Sequence, residues 1–411
     1  MVNSLNATIT GAGDAINASG NTDGAVTVNN ATTDTVNGDA LEFDNNTDTD
    51  LTVATLIATA TGTGDGVSIN ANTGSTPSLS GLDITTTSGA GFTADGTDGI
   101  AVIGGGNNVT TTTGVGLSLN NLEVGSGGIN FASVSVDGAA NGVSLTNLTG
   151  NAVTVGATGT SAGDGGTLLN TTGDAIVITN AANVSLNFMQ ATGSGASINH
   201  TGAAASSVTI ANSSFTGGAN EGIDADTTGS GAFALVLDTN QVSGTTQEGI
   251  NINLGPTANT ARVTLNGNIV SNTSGVSAAV ITSTSGQTNL LLDGNSFTNT
   301  SGGNAATSIT ANGTATLNAT VNGNTFANGA PNSQPLAITN DSATASTRLS
   351  LTNNTASATA EEFFLINNAG AFTVRDLTDL NDPGADTNNG DTSLTPNIGA
   401  FGNEPNPVPT P

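Results

Sequence analysis

The chain has 411 residues drawn mainly from Gly, Asn, Thr, Ser, Ala and Asp, with three Arg, no Lys, one His and no Cys. Its formal net charge of -28 excludes ordinary nucleic-acid binding, which needs clustered Lys and Arg, and disfavours binding to anionic membranes. Short alternating runs of Val, Ile and Thr favour ordered β-structure over disorder, and the lack of Cys excludes disulfide stabilisation.

The first recurring motif runs from the amino terminus to about residue 250. A Gly is followed by a small or acidic residue and then by alternating apolar positions, as in Gly13-Asp14-Ala15-Ile16. Further copies contain Gly38, Gly64, Gly114, Gly173, Gly222 and Gly249. Their spacing averages about 26 residues, which is typical of one coil of a solenoid.

A second motif, apolar-x-apolar-x-x-Asn-x-apolar, covers residues 205 to 360. Its polar position is occupied in turn by Ser213, Asn240, Asn268, Asn295, Asn324 and Asn354. The apolar positions have the period of short strands, and the Asn falls where each strand ends. We therefore expect these six residues to form a structural ladder, in which each side chain hydrogen bonds to a neighbouring coil.

Together the motifs predict an all-β fold, a single-stranded right-handed parallel β-helix with about 14 coils of roughly 26 residues and almost no helix. Val, Leu and Phe would point inward, including Phe215, Phe297 and Phe326. The repeated Gly would permit either a positive φ or a close approach of two backbones.

The second motif resembles the repeats of the pectate-lyase-like superfamily of right-handed parallel β-helices. Similar arrays rich in Gly, Asn and Thr occur in passengers of bacterial autotransporters and in large surface adhesins. The resemblance is specific for the fold, and it implies a secreted or cell-surface bacterial protein without implying a particular activity.

Three regions are expected along the chain. Residues 1–378 form the β-helix, residues 379–404 form an acidic loop and a capping segment, and residues 405–411 form a Pro-rich linker. No signal peptide is recognisable after Met1, and no apolar run reaches the ~18 residues of a membrane span. We expect the sequence to be a piece of a longer exported protein that continues beyond Pro411.

Two groups of carboxylates are candidate metal ligands. Asp14, Asp39 and Asp65 occupy one phase of neighbouring coils, where carboxylates about 5 Å apart repel each other by roughly 1 kcal/mol per pair. A bridging Ca²⁺ would relieve this repulsion. The second group is oxygen-rich and contains Asp382, Asp386 and Asp391. In the alternative interpretation, both groups are solvated by water and monovalent ions.

No catalytic residue is nominated. Arg262 and Arg348 share a phase but lie three coils, or ~14 Å, apart, and Arg375 lies in the terminal region. His200 has no Ser or Cys partner within a recognisable motif, so we expect it in a turn or on the surface. The absence of Trp and Tyr disfavours an aromatic carbohydrate groove.

These observations favour a non-enzymatic structural or adhesive module at the bacterial cell surface, presenting a rigid acidic rod for attachment or spacing. Its expected partner is a glycan or protein on a host or neighbouring cell, or a second copy of the chain. No cofactor is required for such a role, and Ca²⁺ is a candidate ligand. The alternatives are a polysaccharide-processing β-helix (a lyase, a hydrolase or a tailspike-like protein) and a self-assembling fibre subunit.

Overall fold

The computed structural model describes residues 5–255, 260–274, 277–300, 305–329, 334–358, 362–375, 391–396, 401–404 and 408–411. In these residues the chain is an all-β parallel solenoid of about 13 turns without helix, close to the predicted 14 coils. The handedness stays a prediction. The chain forms two compact units, the first comprising residues 1–194 and 212–214 and the second comprising residues 195–211 and 215–411.

Each coil of the first unit contributes strands to three parallel ladders. The strands of the first ladder are Asn17–Ser19, Leu41–Asp44, Val67–Asn70, Phe92–Asp95, the beginnings of Leu117–Phe131 and Val143–Gly150, and Ile176–Thr179. The strands of the second ladder are Thr22–Val28, Thr47–Val53, Ser78–Ser80, Ile100–Ile103, the end of Leu117–Phe131, Val153–Val155 and Asn183–Asn187. The strands of the third ladder are Leu5–Ile9, Ala31–Thr35, Leu56–Ala60, Leu82–Thr86, Asn108–Thr111, Ser133–Asp137, Gly166–Leu169 and Met189–Thr192.

The second unit repeats this arrangement. Its first ladder contains Ala196–His200, Ile223–Thr227, Ile250–Leu254, Ala279–Ser283, Thr307–Ala311, the beginnings of Leu336–Thr352 and Glu362–Arg375, and Asp391–Pro396. Its second ladder contains Ser206–Ala211, Phe233–Asp238, Thr260–Asn266, Gln287–Asp293, Thr316–Asn322, the ends of the same two long strands, and Phe401–Glu404. Its third ladder contains Gln241–Ser243, Ile269–Thr273, Ser296–Asn299, Thr325–Asn328 and Thr355–Ala358. Of the strand Ser214–Thr216, Ser214 belongs to the first unit and the other two residues belong to the second.

The cores are columns of apolar residues that occupy one register position in successive coils. In the first unit one column runs Leu41, Val67, Phe92, Leu117 and Val143, and all five side chains are buried. The predicted inward positions of Phe215, Phe297 and Phe326 are confirmed, since none of the three is exposed. The rings of Phe297 and Phe326 stack with their centroids 5.8 Å apart. Alternation along each strand thus separates a stacked apolar interior from a polar surface.

The repeated Gly of the first motif permits a close approach of two backbones. A Cβ atom added to Gly38, Gly64, Gly89 or Gly114 would lie 1.8–2.1 Å from the carbonyl oxygen of the equivalent Gly one coil earlier. None of the four has a positive φ. The sequence left two reasons for Gly open, a positive φ and a close approach of two backbones. The structure shows the close approach at this position.

The carboxyl-terminal segment differs from the expected loop. Asp391–Pro396 is a strand that pairs in parallel with residues 362–367, and Phe401–Glu404 pairs with residues 372–375. Asp382 and Asp386 lie outside the described residues, and so do residues 405–407 of the predicted linker. The backbone of Asp391 is described but its side chain is not. The second candidate metal group therefore stays a prediction.

Candidate functional site

The Asn residues of the second motif form a continuous hydrogen-bonded ladder in the second unit. From Asn268 to Asn354, the Oδ1 atom of each Asn accepts hydrogen bonds from both the backbone N–H and the Nδ2 of the preceding Asn, at 2.9–3.0 Å. Each Nδ2 also donates to the backbone carbonyl of an earlier coil, as Asn295 does to Leu265 at 2.8 Å. The five side chains from Asn240 to Asn354 are buried. They satisfy backbone groups at a bend, so their role is structural.

Ser213 belongs to the first unit, where it makes an equivalent contact. Its Oγ accepts the backbone N–H of Met189 at 3.0 Å, and its side chain is buried. The smaller hydroxyl thus satisfies a backbone donor, as the Asn carbonyls do in the second unit.

Sequence reasoning missed a second ladder, which lies in the first unit and is buried from Asn46 to Thr97. Asn21 donates to Asn46, Asn46 donates to Asn72 at 2.9 Å, and Asn72 donates to Thr97. This ladder follows the first strand of each coil, whereas the ladder of the second unit follows the second strand. The spacing of 25 to 26 residues was the available signal, but many neighbouring Asn residues concealed it.

The candidate acidic site in the first unit only partly matches the predicted set. Carboxylate oxygens of Asp14, Asp39 and Glu42 lie within 4.8 Å of one another, and Asp65 is outside this group. We call Asp14, Asp39 and Glu42 the acidic cluster. Glu42 enters it from an outward strand position in register with Asn17, whose Nδ2 donates to both Asp14 and Glu42.

The predicted Asp residues also serve as acceptors between coils. Asp14 Oδ1 accepts the N–H of Asp39 at 2.9 Å, and Asp39 Oδ1 accepts the N–H of Asp65 at 2.7 Å. Asp65 Oδ1 in turn accepts the N–H of Ala90 at 2.7 Å. Backbone satisfaction therefore accounts for the repetition of Asp at this phase without a bound ion.

The acidic cluster holds a proton more tightly than isolated carboxylates do. A hydrogen bond with Asp14, together with burial and neighbouring negative charges, raises the pKa of Glu42 to about 7. Burial raises the pKa of Asp65 to about 6, and burial also raises the pKa of Asp39. Although burial acts in the opposite direction on Asp14, hydrogen bonds with Glu42, Asn17 and the Asp39 N–H lower its pKa. Asp14 and Glu42 therefore share a proton through their hydrogen bond.

We expect the first unit to be more stable at about pH 5 than at about pH 8. A carboxyl group with a higher pKa in the folded chain binds more protons when folded. Its stabilisation is therefore complete below the unfolded value, 4.5 for Glu42, and is lost as the pH rises through about 7. Thermal melting across this range would show the effect, and Glu42→Gln should remove much of it.

The matched control is Glu123→Gln, because Glu123 is an exposed residue of the same unit outside the acidic cluster. This variant should retain the full dependence on pH. If Glu42→Gln also retained it, the shared proton would not reside on Glu42.

The second unit carries a groove of about 360 Å³ built from four consecutive coils. Outward side chains at one register position contribute Asn199, Asp226, Asn253 and Thr282. The remaining lining consists of Thr201, Thr227, Thr228, Leu254, Gly255 and Thr284. Asn253 donates to Asp226 Oδ1 at 3.0 Å, which fixes both groups on the groove floor. The groove therefore offers hydroxyl and amide groups and one carboxylate.

A smaller groove of about 250 Å³ lies in the first unit. It is lined by Gly104, Gly105, Asn130, Phe131, Ala132, Ala157 and Thr158. With one amide and one hydroxyl side chain, it offers fewer polar groups than the groove of the second unit.

The expectation that His200 lies in a turn or on the surface is wrong. His200 ends the strand Ala196–His200, is 1% exposed, and stacks on Phe233 with ring centroids 5.7 Å apart. Neither ring nitrogen has a hydrogen-bond partner among the described residues. Successive side chains of a strand point to opposite faces, and Ala196 and Ile198 point inward. His200 lies two residues after Ile198, so its side chain points inward as well.

We expect His200→Phe to stabilise the second unit by about 1–2 kcal/mol, because two buried nitrogens without partners are replaced by an apolar ring. Chemical denaturation at neutral pH measures the change. Asn199→Ala, at the neighbouring half-buried position that faces outward, is the control for substitution in this strand. A loss of stability in His200→Phe would mean that the imidazole has a partner, such as a buried water.

The Arg residues do not form a cluster. Arg262 and Arg348 occupy one register column, separated by Asn289 and Asn318, as their shared phase predicted. Arg375 lies in register with residue 404 of the next coil. The described residues thus bring no Arg into the acidic cluster or the lining of either groove.

Comparisons with protein-family models, with curated proteins and with solved structures find no match to this chain. Among the described residues, no helix is long and apolar enough to cross a membrane.

Proposed function

We propose that this chain is a non-enzymatic attachment and spacing module of a secreted or cell-surface bacterial protein. The observation that carries the proposal is the groove of the second unit, which is lined mainly by Asn, Asp and Thr residues and lies on stacked strands. Its volume of about 360 Å³ is within the usual range of ligand sites, about 300–1,000 Å³. The resemblance to pectate-lyase-like repeats and to autotransporter passengers belongs to the same proposal.

The laddered interior supports this proposal. Buried Asn side chains satisfy backbone groups coil after coil, which leaves few unpaired groups at the bends where a protease would act. The four groove side chains that share one register position, from Asn199 to Thr282, project from regular strands, and strands hold such groups more firmly than loops do.

The chemistry of the groove indicates the class of partner. Hydroxyl and amide side chains donate and accept hydrogen bonds, which suits a glycan or a polar protein surface. A polyanionic partner is disfavoured, because the groove contains Asp226 and no Lys or Arg.

The test is binding of the full chain to glycan and protein arrays and to cells. Asp226→Ala combined with Asn253→Ala should reduce binding at least about tenfold. The matched control combines Asp224→Ala with Asn251→Ala. It removes the same type of bond, at 2.8 Å, from the same two strands outside the groove lining.

Three results would overturn the proposal. Equal loss of binding in the two double variants would exclude the groove as the attachment site. Release of reducing or unsaturated ends from an acidic polysaccharide would identify a polysaccharide-processing enzyme. Elongation that depends on protein concentration would identify a fibre subunit.

We further propose that the acidic cluster binds Ca²⁺ weakly. Three carboxylates offer oxygen ligands within 4.8 Å of one another, and water would complete the six to eight ligands that Ca²⁺ takes. Binding should release the proton of Glu42, so calorimetry in two buffers of different ionisation enthalpy should detect proton release near neutral pH. Absence of heat and an unchanged melting temperature after chelation would contradict this proposal.

A further inference from the structure

Six Asn-Gly pairs occur among the described residues. Their Asn residues are Asn37, Asn141, Asn266, Asn312, Asn322 and Asn328. In such a pair the backbone nitrogen of Gly can attack the side-chain carbonyl carbon of the preceding Asn, because Gly has no side chain to obstruct the approach. The local geometry decides which pairs can react.

In four of the pairs, the Gly nitrogen is held between coils. Gly142 donates to Ala175, Gly267 to Asp293, Gly323 to Thr352 and Gly329 to Asn299, at 2.8–3.1 Å. The neighbouring Asn side chains are also held. Those of Asn266 and Asn322, for example, donate to Asp238 at 2.7 Å and to Asp293 at 2.8 Å. Attack in these pairs requires both hydrogen bonds to break.

The pair Asn312-Gly313 is arranged differently. Its Asn side chain is exposed, and the Gly313 nitrogen points at Asn312 Oδ1 at 2.7 Å, so the nitrogen already lies beside the side-chain carbonyl. The pair opens a turn in which the Asn312 carbonyl accepts the N–H of Ala315 at 3.1 Å. We propose that Asn312 is a site of spontaneous deamidation, an inference that does not depend on the proposed function.

The reaction balances with water as its only co-reactant. The Gly313 nitrogen loses its proton to hydroxide and forms a bond to the side-chain carbon of Asn312. The bond from that carbon to Nδ2 then breaks, and the nitrogen takes a proton from water and leaves as ammonia, which returns the hydroxide. Water then opens the resulting five-membered imide at either carbonyl. The products are Asp and isoaspartate, and each adds one negative charge.

The modification would lie beside one end of the groove of the second unit. Asn312 N–H donates to Ser283 at 2.8 Å, and Thr314 N–H donates to Thr284, which lines the groove. Isoaspartate also lengthens the backbone by one carbon at the turn between Thr307–Ala311 and Thr316–Asn322. A carboxylate would therefore form one coil beyond Thr284.

The test is storage of the folded full chain in mildly alkaline buffer, followed by peptide mapping for a gain of about 1 Da. Asn312 should react roughly tenfold faster than Asn266 and Asn322, because those pairs must first break two hydrogen bonds. In urea, where no fold protects them, these three pairs should react at similar rates. The variant Asn312→Gln should remove the fastest signal from the folded chain.

Two outcomes would overturn the proposal. One is equal reaction of Asn312, Asn266 and Asn322 in the folded chain. The other is faster reaction at Asn37, which is the other exposed Asn of these pairs whose side chain makes no described hydrogen bond to a neighbouring coil.

Discussion

Asn295→Ala is expected to lower the free energy of unfolding of the second unit by about 3–5 kcal/mol. The side chain of Asn295 makes four hydrogen bonds, two accepted from Asn268 and two donated, to Leu265 and Asn324. Alanine leaves the Asn268 N–H without its acceptor and removes a donor from the Leu265 carbonyl. Each buried group deprived of its partner costs about 1–3 kcal/mol.

Chemical denaturation gives the total effect, and hydrogen exchange locates it. The Asn268 amide should lose protection first, because solenoid stability arises from contacts between neighbouring coils. Asn266→Ala is the matched control, since this exposed Asn lies two residues away from Asn268 and donates to Asp238. Its expected effect is below about 0.5 kcal/mol. Equal effects of the two variants would mean that the ladder adds little stability.

The two ladders show which parts of the fold the sequence can predict. Asn240, Asn268 and Asn295 were predictable because one residue type recurs at one phase beside clear apolar strands. The ladder from Asn21 to Thr97 was missed because adjacent Asn residues fill the same turns and its last member is Thr. A repeat can be recognised in the sequence only where the residue at its polar position differs from the residues around it.

The acidic cluster was only half predictable for a related reason. Following one phase of the motif finds Asp14 and Asp39, which are one coil apart. It cannot find Glu42, because this side chain comes from the outward face of the following strand and depends on the register with Asn17. For His200 the polar side chain led to the wrong expectation of a turn or the surface. Its position on the strand, where every second side chain points inward, accounts for its burial.

Gly89→Ala is expected to destabilise the first unit by about 3 kcal/mol, at the upper end of the usual range for overpacking. The added Cβ would lie 2.0 Å from the carbonyl oxygen of Gly64. That oxygen belongs to the backbone, so relief requires two coils to separate. Separation would also strain the adjacent bond from the Ala90 N–H to Asp65, which is 2.7 Å long.

Gly106→Ala is the matched control, because a Cβ at Gly106 meets nothing within 4 Å and its φ is not positive. This variant should be neutral or slightly stabilising, since alanine reduces the freedom of the unfolded chain. Thermal melting ranks the two variants, and hydrogen exchange over residues 82–95 shows whether the coils separate. A neutral Gly89→Ala would mean that the coils tolerate wider spacing, and close approach would then not explain the recurrence of Gly at this phase.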